Sequence, residues 1–344
     1  MTRKELQQIL NYRSVPYPTG EISLIETHIS WVLLADSHVY KFKKPLKFSF
    51  LDFSTLEKRH LACQQEVTLN RRLAPQMYLG VLPVRSEEGK LRIDGPSGDV
   101  VDHVVLMRRM DESRQMDLLM EEGEVGKADV EQIAVVLAAF HTKAQKVPGG
   151  TSFEELLEEF TDIGSVILFV EKHLGKKDAI LLEEVNQWVP GFLEKVRDRI
   201  EERDRLGYVI DGHGDLHCRN IFLLDPPVIF DCIEFNADLR SLDMLSEIAF
   251  LCMDLERYGR PDLARDFTGR YLAENPIMGA ETDQKLFLFY KMYRANVRIK
   301  VSCIHLMEGT GAQIERNRER ELIRQYLGLY EGYFRELKAG EDLT

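Results

Sequence analysis

Cysteine is scarce in this sequence and follows no regular spacing. The five cysteines among 344 residues include no CxxC pair. Neither a disulfide framework nor a structural zinc knuckle is therefore indicated. Most of these cysteines are expected to be small buried hydrophobic residues.

Long apolar runs are also missing. The longest, AVVLAAF, covers only Ala134 to Phe140, which is too short to cross a bilayer. The first residues, MTRKELQQILNYRSV, contain no apolar segment of the kind found in signal peptides. We therefore expect a cytoplasmic protein with no membrane partner.

The chain has no excess of positive charge. Its 57 acidic side chains outnumber 45 basic ones, which gives a formal charge of -12. Such a balance disfavours a general nucleic-acid-binding surface, so no nucleic-acid partner is expected. Glycine-rich phosphate loops are absent too, because no GxxxxGK[ST] occurs and no glycine lies between Glu21 and Tyr40.

The order of the predicted elements indicates two lobes in a mixed α+β chain. Two β-rich runs between Ile29 and Pro45 flank a turn at Ala35 to Ser37, and a capped helix is predicted between Ser54 and Leu73. After Met110 the periodicity is mostly helical, with a kink or break expected at Pro190. The pattern predicts a β-rich lobe with one helix, followed by a helix-rich lobe that holds one β-hairpin.

Ionisable side chains cluster in the stretch IDGHGDLHCRNIFLLDPPVIFDCIEF, between short apolar runs that read as buried strands. Burying such groups without partners is costly, so the cluster indicates a site. Its members are His213, Asp215, His217, Asn220, Asp231 and Glu234.

The spacing within this cluster suits phosphoryl transfer to an alcohol. Asp215 and Asn220 are separated as are the catalytic Asp and metal-binding Asn of the pattern H-R-D-x-x-x-x-N. A following strand then delivers Asp231, where a second metal-binding carboxylate is required.

The motifs HGDLHCRN and IFDCIEF resemble those of the aminoglycoside phosphotransferase and choline-kinase-like family. The segments HISWV, YKFKKP, FLDFSTLEKR and LNRRLAP look closest to a bacterial branch of uncharacterised phosphotransferase-like proteins. The resemblance implies a bilobal, protein-kinase-like fold with a nucleotide-binding lobe at 1–108 and a helical catalytic lobe at 109–344. It also implies ATP, or GTP, with Mg²⁺ as cofactors, and a small hydroxyl-bearing substrate.

The resemblance also assigns roles to the clustered residues. Asp215 is the catalytic base, Asn220 and Asp231 bind Mg²⁺, and His213 and His217 brace the loop. Glu234 is a further metal ligand or a nearby supporting acid.

The fold further requires a strand lysine paired with a helix glutamate. Strand alternation places Lys41 and Lys43 on one face and Lys44 on the other. We choose Lys41, with Lys43 as the reserve, and pair it with Glu66, whereas Glu57 lies near the helix start and is expected to serve capping.

Nucleotide contacts are implied at two further places. Met107, Arg108 and Arg109 are expected to supply the backbone edge for the base. The cover over the phosphates is placed at His28 to Ser30, or at the turn from Ala35 to Ser37.

Two charged segments allow opposite predictions of the charge of the substrate. Lys291, Arg294 and Arg298 share one helix face, where structural salt bridges are favoured and a pocket for an anionic substrate is the alternative. The acidic segment from Ser152 to Asp162 reads as a solvated face, or alternatively as an attractor for an amine-bearing substrate.

Two other functions compete with the kinase. A metal-dependent hydrolase would use His213, Asp215 and His217 as ligands, with Asp231 bridging, but would leave Lys41 and Glu66 without a role. The second is a catalytically inactive protein that has the kinase fold and binds a nucleotide without transferring phosphate.

Overall fold

The computed structural model describes residues 1–48, 51–150, 152–307 and 313–341. The chain divides into two compact units. The first comprises Met1–Leu119 and Arg219–Leu239, and the second comprises Met120–Cys218 and Arg240–Thr344. Residues 219–239, which the sequence groups with the helical lobe, thus pack with the first unit. The functional division at residue 108 stays a prediction.

The first unit is built on a six-stranded antiparallel sheet with the strand order β1-β2-β3-β6-β4-β5. Its strands are β1 Ser23–Glu26, β2 Ser30–Leu34, β3 His38–Lys43, β4 Tyr78–Glu87, β5 Lys90–Ile93 and β6 Asp99–Arg108. Two helices, α1 Arg3–Tyr12 and α2 Leu56–Asn70, accompany the sheet, and the boundary between the units falls inside α3 Met116–Glu122.

The strand alternation of β3 gives the sheet two different faces. Tyr40 and Phe42 pack on the face that also contacts α1. Val39, one position earlier, belongs to the core formed with α2 and with the hairpin of β8 Ile221–Phe222 and β9 Val228–Ile229. Lys41 and Lys43 have the same parity as Val39, so they point towards α2.

The second unit is mostly helical. Its helices are α4 Lys127–Lys143, α5 Phe153–Thr161, α6 Ile167–His173, α7 Lys176–Arg205, α8 Met244–Arg257, α9 Pro261–Glu274, α10 Glu281–Met307 and α11 Gln313–Glu341. A two-stranded antiparallel pair joins β7 Val209–Asp211 to β10 Ser241–Asp243. None of the helices in the described ranges is long and apolar enough to span a membrane. All five cysteines are buried, as expected.

Of the kink or break expected at Pro190, the break does not occur, and the kink stays a prediction. Helix α7 runs unbroken from Lys176 to Arg205 with the proline inside it. A proline removes one backbone hydrogen bond, but its neighbours Val189, Phe192 and Leu193 are buried. Tertiary packing of this apolar face therefore outweighs the local cost.

A buried arginine fixes the second unit near β10. Arg203 of α7 is fully buried and contacts both oxygens of Asp243 at 2.6 and 2.8 Å. Its Nη1 also donates to Asp283 at 2.9 Å and to the carbonyl of Ile277 at 2.7 Å. One guanidinium thereby neutralises two carboxylates from separate elements.

We expect Arg203→Leu to lower the free energy of unfolding by about 3–5 kcal/mol, because buried Asp243 loses its arginine partner and Asp283 keeps only Arg199. Urea unfolding monitored by circular dichroism measures the change. The control is Arg270→Leu, which removes an exposed ion pair with Glu274 and should change stability by less than about 1 kcal/mol. Equal losses in both variants would contradict this account.

Candidate active site

The central strand β3 brings two lysines to one buried glutamate. Lys41 Nζ lies 2.8 Å from Glu66 Oε1, and Lys43 Nζ lies 2.6 Å from Glu66 Oε2. Lys44 instead contacts Glu26 at 2.8 Å. The face assignment made from strand alternation is confirmed by these contacts.

Glu66 is fully buried on α2. Burial alone would raise its pKa, but the positive charges of Lys41 and Lys43 outweigh burial and lower the pKa to about 2. Glu57 lies at the start of the same helix, where its carboxylate bonds with Thr55 and its pKa is lowered mainly by its own backbone N–H. The cap itself is Thr55, whose side chain accepts from the N–H of Lys58, and Glu57 lies in the first turn.

Asp231 lies just beyond β9 and contacts Lys41. Its Oδ1 accepts a hydrogen bond from Lys41 Nζ at 2.7 Å, and its side chain remains 44% exposed. The backbone at Asp231 has a φ of 61°, in the left-handed region that side-chain-bearing residues seldom adopt. Strained backbone of this kind persists where the surroundings hold it, often at functional sites.

Burial by itself would lower the pKa of Lys41, yet the charges of Asp231 and Glu66 raise it well above its ordinary value. Lys41 is therefore a permanent cation held between two carboxylates. Its side chain is 15% exposed, whereas that of Lys43 is completely buried.

Lys43 forms a second pair, with Glu234. Burial raises the pKa of Glu234, an effect that the charge of Lys43 only partly offsets. Glu234 therefore contacts a lysine in this structure, and its predicted role as a metal ligand or supporting acid stays a prediction.

The short β8–β9 hairpin places Asn220 beside the Asp231 segment. The carbonyl of Asn220 accepts a hydrogen bond from the Phe230 N–H at 2.9 Å, and Ile221 pairs with Ile229. An amide and a partly exposed carboxylate are hard oxygen ligands of the kind that Mg²⁺ takes together with substrate phosphates. The two predicted metal ligands thus fit this ion chemically.

The loop that carries Asp215 belongs to the second unit and is held by Glu247 of α8. Glu247 Oε1 accepts from the N–H groups of His213 and Gly214 at 2.7 and 2.8 Å, and Oε2 contacts His141 Nε2 at 2.7 Å. Gly214 has a φ of 86°, and a Cβ at Gly212 would lie 2.6 Å from Glu247 Oε2. Both glycines are therefore required by this loop.

Asp215 is positioned by the two flanking histidines. Its N–H donates to His213 Nδ1 and its Oδ2 contacts His217 Nε2, both at 3.3 Å. Burial alone would raise the pKa of Asp215, but His217 and Arg298 hold that pKa well below its ordinary value. These contacts suit an ionised base braced by histidines, a set of roles that stays a prediction.

Sequence reasoning missed Glu247 and His141. The available signals were a glutamate inside the apolar run MLSEIAF and a histidine that ends the apolar run AVVLAAF. Buried ionisable groups need partners, so each of these residues could be expected to have a hydrogen-bonding or ionic partner. Their pairing depends on tertiary contacts that sequence spacing does not give.

The predicted nucleotide edge lies at the end of β6. Met107 is buried and pairs with Val39 and Tyr78. The N–H groups of Arg108 and Arg109 donate to the carbonyls of Met77 and Ser37. Since these donors are engaged within the first unit, contact between residues 107–109 and a nucleotide base stays a prediction.

Both predicted positions for the phosphate cover are hairpin turns. The N–H of Thr27 donates to Ser30 between β1 and β2, and that of Ala35 donates to His38 between β2 and β3. Neither turn contains glycine. The position of the phosphate cover stays a prediction.

The metal-dependent hydrolase is not supported. Across the ranges that the structure describes, no three His, Cys, Asp or Glu side chains converge as a metal site would require. His217 and Asp215 contact one another, and the His213 ring accepts from the Asp215 backbone. These contacts do not support the interpretation of the cluster as the ligand set of a hydrolase.

Comparison with known proteins finds sequence relatives and structures of similar fold. No protein-family model matches the chain. Uncharacterised proteins of Mycobacterium bovis and Mycobacterium tuberculosis are each 33% identical over 297 residues, which is 84% of this chain and 56% of theirs. The matched region therefore spans about half the length of these relatives.

Solved structures define the fold. A spectinomycin phosphotransferase in complex with ADP and spectinomycin matches 95% of this chain and 98% of its own, with a TM-score of 0.50 at 12% identity. The choline kinase of Cryptosporidium parvum matches 99% of this chain and 97% of its own, with a TM-score of 0.55 at 11% identity. The chain has the kinase-like fold of these phosphotransferases. The choline kinase of Streptococcus pneumoniae, at a TM-score of 0.51 and 12% identity, shares this kinase-like fold over 94% of this chain and 97% of its own. The α+β, protein-kinase-like fold predicted from the motifs is confirmed.

The buried Glu247 predicts a pH dependence of stability. Burial would raise its pKa, but His141 and the loop N–H groups lower it to about 2. A depressed carboxyl pKa stabilises the folded state above the unfolded value of 4.5, and this contribution is lost as pH falls towards 2. The amount is on the order of 3 kcal/mol.

We therefore expect Glu247→Gln to be less stable than the parent at pH 6, with the difference shrinking as pH falls to 3. Urea unfolding at several pH values measures it. A difference that stays constant over this range would show that Glu247 is not ionised in the folded state.

Proposed function

We propose that the protein is a kinase that transfers the γ-phosphoryl group of ATP, or of GTP, to a hydroxyl group of a small molecule. The observation that carries this proposal is Lys41 Nζ, which lies 2.8 Å from helix-borne Glu66 and 2.7 Å from Asp231. In kinases a strand lysine paired with a helix glutamate holds the nucleotide phosphates, and an aspartate beyond a strand binds Mg²⁺.

Each residue has a role in the proposed transfer. Lys41 holds the α and β phosphates, and Asn220 and Asp231 would hold Mg²⁺, which would neutralise charge on the phosphate oxygens. Asp215 orients the acceptor hydroxyl and accepts its proton. The acceptor oxygen forms a bond to the γ phosphorus as the bond from that phosphorus to the β–γ bridging oxygen breaks, and ADP leaves.

The exposure of the two lysines supports Lys41 over Lys43. A residue that binds phosphate must be reachable, and Lys41 is partly exposed while Lys43 is not. Residues 107–109 remain the proposed edge for the base, and Glu234, His213 and His217 remain supporting residues. A cytoplasmic location and the identity of the nucleotide stay predictions.

Asp215→Asn tests the proposed base. We expect ADP release that depends on an acceptor hydroxyl to fall about 10²- to 10⁴-fold, because the amide cannot accept the proton. Binding of Mg–ATP, measured by thermal shift, should change little. Asp198→Asn on an exposed part of α7 is the matched control. Full activity in Asp215→Asn would refute the assignment of the base.

Lys41→Met and Lys43→Met form a second test. Lys41→Met should fold and lose at least about tenfold in affinity for Mg–ATP, since one charge-assisted contact is removed. Lys43→Met should instead destabilise the fold by about 3–5 kcal/mol, because it removes a positive charge from the buried carboxylates of Glu66 and Glu234. Calorimetry and urea unfolding measure the two effects. The reverse pattern would make Lys43 the phosphate-binding lysine.

A further inference from the structure

One face of helix α10 carries three cations, and the first of them forms an ion pair. Lys291 Nζ lies 2.9 Å from Glu256 Oε1. Among the described residues, no carboxylate oxygen lies within the 4.0 Å salt-bridge distance of Arg294 or Arg298. The structural salt bridges expected for this face therefore account for Lys291 alone.

Arg294 contacts the loop that carries Asp215. Its side chain is buried, and its Nη2 donates to Ser246 Oγ at 3.0 Å. Its Nε and Nη1 donate to the carbonyls of Ser246 and Gly214 at 3.3 and 3.4 Å. The guanidinium is thus placed one residue away from the proposed base.

Arg298 lies one turn further along the same face. Its Nε is buried and has no hydrogen-bond partner among the described residues. The guanidinium interacts with Tyr326, whose ring centroid is 5.8 Å away, and electrostatically with Asp215. A buried donor without a partner is uncommon in folded proteins and calls for an explanation.

Other ionic groups near this loop also have contacts. Arg257 contacts Asp254 at 2.7 Å, and Glu247 contacts His141. Arg298 interacts electrostatically with Asp215 and Asp254, yet its Nε keeps no hydrogen-bond partner among the described residues. A buried donor without a partner is costly, and an anionic ligand that accepts its hydrogen bond would remove that cost.

Most carboxylates of the acidic segment around α5 already have partners. Glu154 contacts Arg197 at 3.2 Å and Asp162 contacts Lys300 at 2.5 Å. Glu159 accepts from Tyr293 at 2.6 Å, and Glu155 bonds with Ser152 in a capping box. These four of the segment's five carboxylates are engaged within the second unit, which weakens the alternative of an amine-bearing substrate.

We propose that the phosphate acceptor carries an anionic group, a carboxylate or a phosphate, which Arg298 binds beside the hydroxyl that Asp215 orients. This inference rests on the proposed kinase function and narrows its substrate class. Arg294 holds the loop and adds to the positive field. The forked guanidinium of arginine suits both anions.

Matched acceptors test the inference. Release of ADP from Mg–ATP is measured with glucose, glucosamine, glucuronate and glucose 6-phosphate, and with glycerol, 3-amino-1,2-propanediol, glycerate and glycerol 3-phosphate. Each set offers one skeleton in neutral, cationic, carboxylate and phosphate forms. Binding of the same compounds, with a non-hydrolysable ATP analogue present, is measured by calorimetry. The variants are Arg298→Gln, Arg298→Lys and the control Lys291→Gln.

In at least one of the two sets, the carboxylate or the phosphate form should be bound most tightly or phosphorylated fastest. Comparing these two forms identifies the anionic group that the protein prefers. Arg298→Gln should raise KM or Kd for that form about tenfold or more, with little effect on its neutral counterpart. Arg298→Lys should recover part of the loss, and Lys291→Gln should keep the discrimination.

Preference for a neutral or cationic form, or unchanged discrimination in Arg298→Gln, would overturn the inference and leave the kinase proposal standing. Failure of the wild type to bind any anionic form would also overturn it. Failure of the kinase proposal has a separate signature, namely no binding of Mg–ATP.

Discussion

The first unit depends on one buried carboxylate, Glu66, shared by two lysines from the same strand. Removing these groups from water costs several kcal/mol per ion unless each finds a partner of opposite charge. Lys41 and Lys43 meet both oxygens of Glu66, and each lysine also contacts a carboxylate from the segment after β9. Strand, helix and loop are thereby held in one arrangement, because none of the charges can be left alone.

This arrangement separates two tasks between similar residues. Lys43 is fully buried and contacts Glu66 and Glu234, so it mainly fixes the loop to the sheet. Lys41 is partly exposed and contacts Asp231, whose carboxylate is also partly exposed. In the proposed function, Lys41 exchanges a protein partner for a phosphate. The second unit uses the same device, since buried Glu247 holds the loop that ends in Asp215.

Much of this site could be predicted from the sequence because its signals are local. The separation of Asp215 and Asn220, the strand before Asp231 and the alternation of Lys41 and Lys43 each follow from spacing. The pairing of Lys43 with Glu234 could not be predicted, because it joins positions 191 residues apart. Glu247 was missed for the same reason. Pro190 shows the opposite limit, where a strong local signal is overridden by packing.

The most direct measurement is a crystal structure of the protein with a non-hydrolysable ATP analogue and Mg²⁺. The account predicts that side-chain oxygens of Asn220 and Asp231 coordinate the ion and that Lys41 Nζ lies within hydrogen-bond distance of an α- or β-phosphate oxygen. Phosphates bound away from Lys41, or an ion held by neither Asn220 nor Asp231, would contradict it.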